Sequence, residues 1–292
     1  MRKFSKFALG LSLAVTCVSV SAAQEKSIPK VLEIQREYLK PGRAGMVHQK
    51  AESAFVSAMM RAKWPTHYFA MTSLSGKTRA LFLTSYDSLE AWENDGTAAS
   101  KNAALTAALD HAAYADGELL ESADQGIFLF REEMSLRPRA DLSQMRFMEL
   151  TVFHVRPGKY KEWNEVVKMA KAGYEKGVPG SHWGMFEEVY GGDGGTYLLL
   201  ISHKSLAEVD KAFAADKDFA AAVGEDGMKK LDELFAASVE STSQQLFAFS
   251  PEMSYPQDEW IKADPDYWKP KAMGAAKALA AEKPAAEKKD KP

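Results

Sequence analysis

Cysteine is nearly absent from this chain. The one thiol among 292 residues is Cys17, and it lies in the leader described below. A body without cysteine has no disulfide, no thiolate metal site and no cysteine nucleophile. Apolar burial must carry its stability instead. Histidine is sparse, with six in all. None stands in a His-x-x-x-His or Glu-x-x-His pair, so there is no local zinc or di-iron motif and no metal is expected. Positive charge is not in excess. The formal net charge is −3, and removing the leader cations Arg2, Lys3 and Lys6 takes it to −6, a balance that does not suit nucleic acid. Beyond the leader no apolar run is long enough for a transmembrane helix. No serine sits in a Gly-x-Ser-x-Gly elbow, and the glycines of 191–195 lack the Lys-Ser/Thr of a phosphate-binding loop.

What is present begins with an export signal. Arg2, Lys3 and Lys6 form a basic start, Phe7 to Val20 an apolar core, and Ser21-Ala22-Ala23 the small residues of a cleavage site. Residues 1–23 are therefore read as a signal peptide. Thr16 precedes Cys17 where a lipoprotein signal usually has Gly, Ala or Ser, so cleavage after Ala23 is favoured over lipidation. The mature chain is expected to be periplasmic or secreted.

The body carries the same unit twice. Leu32-Glu33-Ile34 with Lys40-Pro41-Gly42-Arg43 returns as Met148-Glu149-Leu150 with Arg156-Pro157-Gly158-Lys159. Thr66-His67-Tyr68 returns as Ser181-His182-Trp183, and Ser85-Tyr86-Asp87-Ser88-Leu89 as Ser202-His203-Lys204-Ser205-Leu206. Phe128-Leu129-Phe130 returns as Phe247-Ala248-Phe249. A period of about a hundred residues is too long for a solenoid and suits two fused copies of a small domain, at 28–136 and 145–255.

Within each copy the patterns read strand, helix, strand, strand, helix, strand. Val31 to Leu39 alternates apolar and polar, as a strand does. Val47, Ala51, Ala54, Ala58 and Ala62 recur at helical spacing, as do Trp163, Val167, Ala170 and Tyr174. Two hairpin strands follow, and Ser88 and Ser205 can cap a second helical region. That region is expected to break near Asn94-Asp95-Gly96 and near Gly224-Glu225-Asp226-Gly227. The order β-α-β-β-α-β is the ferredoxin-like unit. Its bare sheet face needs a cover, which a second copy packed sheet to sheet would give. The fold expected is α+β, an intramolecular dimeric α+β barrel. After Met253 an irregular aromatic arm (256–274) and a disordered Ala/Lys/Glu/Pro tail (275–292) are expected.

The Glu-containing first strand, the Pro-Gly and the amphipathic helix resemble the dimeric α+β barrel superfamily, with the closest likeness to its NIPSNAP-like members. The resemblance covers both repeats but not the tail. That superfamily includes cofactor-free monooxygenases, heme-degrading enzymes and chlorite dismutase-like heme proteins, so the resemblance implies a cavity and not one reaction. The Asn, Trp and His that heme-degrading members set around the porphyrin have no counterpart trio here.

Candidate site residues follow from the strand alternation. With Leu32 and Ile34 packed on the helices, Glu33, Gln35 and Glu37 would point between the sheets, opposite Glu149 and Thr151. His67 with Tyr68, and His182 with Trp183, would complete a site for a small apolar or aromatic molecule. Glu33 and Glu149 have a structural alternative as interface residues bonded to arginine or backbone. His67 and His182 have one as caps of strand starts. Binding is placed ahead of catalysis by a cofactor-free monooxygenase or heme-using enzyme, a structural or partner-binding role is the third alternative, no cofactor is expected, and heme and self-association stay open.

Overall fold

The computed structural model describes residues 28–139 and 141–269. The signal segment, the tail and residues 270–274 of the arm lie outside the described residues. The first half runs β1 (Val31–Leu39), α1 (Met46–Ala62), β2 (Tyr68–Ser73), β3 (Arg79–Tyr86), α2 (Leu89–Ser100), α3 (Ala103–Gly117) and β4 (Leu120–Phe130). The second half repeats the plan with β5 (Phe147–Val155), α4 (Tyr160–Gly177), β6 (Gly184–Tyr190), β7 (Thr196–His203), α5 (Leu206–Ala214), α6 (Asp216–Val223), α7 (Glu225–Ser238) and β8 (Val239–Tyr255). Two short helices, α8 (Asp258–Ala263) and α9 (Pro265–Trp268), follow where the sequence suggests an irregular arm.

All eight strands close into one antiparallel barrel in the order β1-β3-β2-β8-β5-β7-β6-β4. Within the halves the order is β4-β1-β3-β2 and β8-β5-β7-β6, the same pattern twice. The halves join edge to edge through β2–β8 and β4–β6, so among the described residues no strand of the barrel keeps an open edge. β4 and β8 are longer than their apolar residues suggest. Leu120 to Gln125 and Val239 to Gln244 are mostly polar, and pairing with β1 and β5 holds them extended.

The barrel interior is a packed apolar core. Leu32, Ile34, Met71, Leu81, Phe128, Met148, Leu150, Phe186, Leu198 and Phe247 belong to one cluster. They come from all eight strands, and the lumen is the one space that all eight share. Burying each such side chain contributes about 2 kcal/mol. Phe128, Phe247 and Phe249 are core. This reverses the facing expected from the sequence: the apolar residues of β1 and β5 fill the lumen, and Glu33, Glu37, Glu149 and Thr151 lie under the helices. The lumen is enclosed by strands on every side, so the apolar face goes there.

The helix stripe of α1 turns with it. Its buried residues are His48, Glu52, Val56 and Ala58, not Val47 or Ala54. α2 runs straight through Asn94-Asp95-Gly96 and stops at Lys101, after which Asn102 caps α3 by accepting from the Leu105 amide at 3.1 Å. In the second half the expected break does fall at Gly224, whose φ of 79° ends α6. Ser88 caps α2 through the Ala91 amide at 3.0 Å, and Ser205 makes no such bond.

Candidate functional site

The residues singled out in the sequence do not converge on one site. Gln35 is exposed and donates to Glu37 at 2.7 Å. Glu33 lies beneath α2. His67, Tyr68, His182 and Trp183 line the mouth of the barrel. Glu149 and Thr151, again with His182 and Trp183, line a cleft between the second half's sheet and its helices.

The lumen is plugged by charge at one end and open at the other. Arg36 pairs with Asp124 and, at 3.4 Å, with Glu188, while Arg79 bonds Tyr38 and Gln245. At the opposite end a mouth of about 670 Å³ has Leu32, Leu83, Met148 and Phe186 at its base. His67 and His182 stand on its rim, brought together by the closure of the barrel. His182 Nε2 donates to the Ser202 carbonyl at 2.9 Å, and burial holds its pKa below the ordinary histidine value. His67 turns Nδ1 to the Tyr255 carbonyl at 3.3 Å and stacks on that tyrosine, ring centres 4.5 Å apart.

The cleft is larger, about 760 Å³, and its walls are mainly apolar: Phe153, Trp163, Val167, Tyr174, Phe219 and Phe235 among them. β5 and β7 supply its polar floor. His203 Nε2 lies 3.7 Å from Glu149 Oε2 and is otherwise a buried nitrogen without a hydrogen-bond partner. The neighbouring His203 imidazole, helped by a bond from Gln244, holds the Glu149 carboxyl below the ordinary glutamate value against the opposing effect of burial. A carboxylate beside an imidazole at the edge of an apolar pocket can orient a polar group of a ligand or hold a proton.

The floor is built twice. Glu33 in the first half accepts from Tyr86 at 3.4 Å and from Gln125. Tyr86 pairs with Val31 and Gln125 with Gln35, each two positions from Glu33. His203 pairs with Phe147 and Gln244 with Thr151, each two positions from Glu149. The sequence shows Tyr86 and His203 as matched positions, but only the register shows that each reaches the glutamate. Burial raises Glu33 above the ordinary value despite its bonds, with Asp95 adding to the rise.

Beneath α1 and α3 the first half buries a second polar group: Glu37, His48, Glu52 and Asp116, each 3 % exposed or less. His48 Nε2 lies 3.0 Å from Glu37 Oε2, 3.3 Å from Asp116 Oδ1 and 3.8 Å from Glu52 Oε1. Burial opposes the charge on His48, but Asp116 and Glu37 outweigh it and raise its pKa to about 9. Burial, then the charges of Glu37 and Asp116, push Glu52 up to about 10. From the sequence His48, unmatched by a histidine in the second copy, reads as surface or hydrogen-bonded. The available signal is its spacing of four from Glu52 on one helix, with Glu37 on the adjacent strand.

No protein-family model matches the chain, and no match to a curated protein was found. Solved structures with a similar course include an anthrone oxidase-like protein, 11% identical over 78% of this chain and 94% of that one, at a TM-score of 0.47. A chlorite dismutase from Candidatus Nitrospira defluvii is 9% identical over 81% and 95%, at 0.45. A heme-binding protein from Thermus thermophilus is 11% identical over 81% and 95%, at 0.45. Likeness at this level says nothing of activity. The chain's own architecture is that of a mixed α+β protein on a closed eight-stranded antiparallel barrel, the form consistent with a dimeric α+β barrel.

Proposed function

We propose that the protein is an exported small-molecule-binding protein whose ligand, small and largely apolar with one polar group, sits in the cleft between the second half's sheet and its helices. The observation that carries this is the Glu149–His203 pair on the floor of an otherwise aromatic and aliphatic cavity of about 760 Å³. The signal-like leader supports export. The repeated strand order and the repeated Glu-Gln floor support reading the halves as duplicated ferredoxin-like units of NIPSNAP-like kind. 1-Naphthol serves as the probe, read by tryptophan fluorescence. It is expected to bind the wild type, to lose at least tenfold in affinity in Val167→Trp, which fills the cleft, and to weaken in His203→Phe. Unchanged binding in Val167→Trp with loss in Ser202→Trp would move the site to the barrel mouth.

A second reading is enzymatic, as a cofactor-free oxygenase or a heme protein. In the first, His203 would take a proton from an acidic O–H of the ligand, with Glu149 stabilising the imidazolium. A histidine that would hold heme needs an imidazole nitrogen clear of other partners. His182 commits Nε2 to Ser202 and does not fit. His67 fits better: Nδ1 faces a backbone carbonyl, the orientation ligating histidines use, and the ring lines the mouth. A heme there would supply redox chemistry, while His67 would hold it. A Soret band that survives gel filtration and is lost in His67→Ala would favour heme. Oxygen uptake with a quinol by the colourless protein would favour the cofactor-free enzyme.

A further inference from the structure

We propose that Glu37, His48, Glu52 and Asp116 form a binding site for a divalent transition-metal ion inside the first half of the protein. One ligand atom from each lies within 4.8 Å of every other. An ion about 2.1 Å from each donor holds two donors at most about 4.2 Å apart. The separations of 3.0, 3.3 and 3.8 Å around His48 Nε2 already lie inside that limit, and the carboxylate oxygens, within 4.8 Å of one another, need close by no more than about 0.6 Å to meet it. The donors come from β1, α1 and α3, three packed elements.

A second observation points to a ligand. Nε2 of His48 can carry only one hydrogen, and it directs that hydrogen to Glu37. Glu52 Oε1 and Asp116 Oδ1 are buried without a hydrogen-bond partner, and both carboxyl side chains are more than nine-tenths buried. The Tyr68 hydroxyl is likewise buried without a partner, and the charges of Glu52 and Glu37 add to the burial that raises its pKa. Leaving such oxygens unpaired in a dry interior is unfavourable. A cation would satisfy them together.

The fold itself does not ask for polarity here. Phe153 occupies in β5 the place that Glu37 holds in β1, and it packs on Trp163 of α4 with ring centres 5.0 Å apart. The second half thus fills the strand–helix layer with an aromatic pair where the first half has a carboxylate and an imidazole. One nitrogen and three carboxylate oxygens suit Mn²⁺, Fe²⁺ or Zn²⁺. Ca²⁺ asks for six to eight oxygens, and soft Cu(I) asks for sulfur.

The test uses the full chain expressed in medium supplemented with MnCl2 or ZnCl2, then dialysed. Metal content is measured by mass spectrometry and the thermal midpoint is read with and without each salt. The expected result is close to one ion per chain and a higher midpoint in the loaded protein. Glu52→Gln and Asp116→Asn keep the shape of the side chains. They are expected to keep the native circular dichroism spectrum, to drop metal content at least tenfold and to lose the midpoint shift, while His182→Ala and His203→Phe retain both. Wild type that holds no metal after supply of both ions overturns the proposal. So does retention of metal in folded Glu52→Gln and Asp116→Asn. Should those variants not fold, Co²⁺ added to the wild type decides: visible bands of carboxylate–imidazole ligation support the site, and their absence removes it.

Discussion

His203 does for Glu149 in the second half what Tyr86 does for Glu33 in the first, yet the two glutamates are shifted in opposite directions. An imidazole can share positive charge with a carboxylate and favours its ionised form. A phenol can offer only a neutral hydrogen bond, and Tyr86 also lies 3.2 Å from Asp95, so burial wins at Glu33.

The pair makes a signed prediction. The folded-state pKa of Glu149 is depressed, so its stabilisation is present above the ordinary value near 4.5 and is lost as pH falls through the folded value. Glu149→Gln should cost about 1–2 kcal/mol at pH 7, and the gap should close in acid. The folded-state pKa of Glu33 is raised, so its ionisation at neutral pH opposes folding. Glu33→Gln should match or exceed wild type at pH 7, with any gain fading as pH falls toward 4.5. Urea unfolding from pH 3 to 8 checks both, and equal losses at pH 7 would show that the two carboxylates simply hold the structure in the same way.

The arm after β8 is part of the fold through Trp268. That side chain is fully buried, donates to the Ser143 carbonyl at 2.6 Å and packs on Trp260 with ring centres 4.9 Å apart. Trp268→Ala should cost about 3–5 kcal/mol in denaturant unfolding. A loss under about 1 kcal/mol would mean that the arm rests on the barrel without supporting it.

The seam between β4 and β6 depends on Gly191. Its φ is 102°, and a Cβ there would collide with the Gln125 carbonyl and lie 2.8 Å from Gly126 Cα. Both obstacles are backbone, so the neighbour cannot turn aside. Gly191→Ala should cost about 2 kcal/mol or more. Amide exchange across Ile127 to Phe130 should quicken, and unchanged exchange there would refute the role of this glycine in closing the barrel.

Much of the element plan was legible in the residues. The first strands, the Pro-Gly breaks and the Ser88 cap rest on local chemistry, which the chain carries wherever it goes. The break expected in α2 was not found, because Asn94-Asp95-Gly96 is a weak breaker that helix continuity overrides, whereas Gly224 takes a positive φ and does end its helix. The site was less legible. Glu149, Thr151, His182 and Trp183 do share a cleft, but the walls of that cleft come from α4 to α7, and the His203 contact with Glu149 follows from strand register.

Alternation along Val31 to Leu39 divides the strand into an apolar set and a polar set, and the sequence by itself determined that division. It did not determine which set faces which way, since a period of two has no inside. Closure of eight strands decided that. It enclosed the lumen, drew Leu32 and Ile34 into it, and turned Glu33 and Glu37 toward the helices. The meeting of Glu37, His48, Glu52 and Asp116 followed from the same event, because residues as far apart in sequence as 37 and 116 become neighbours only when a helix docks on the sheet.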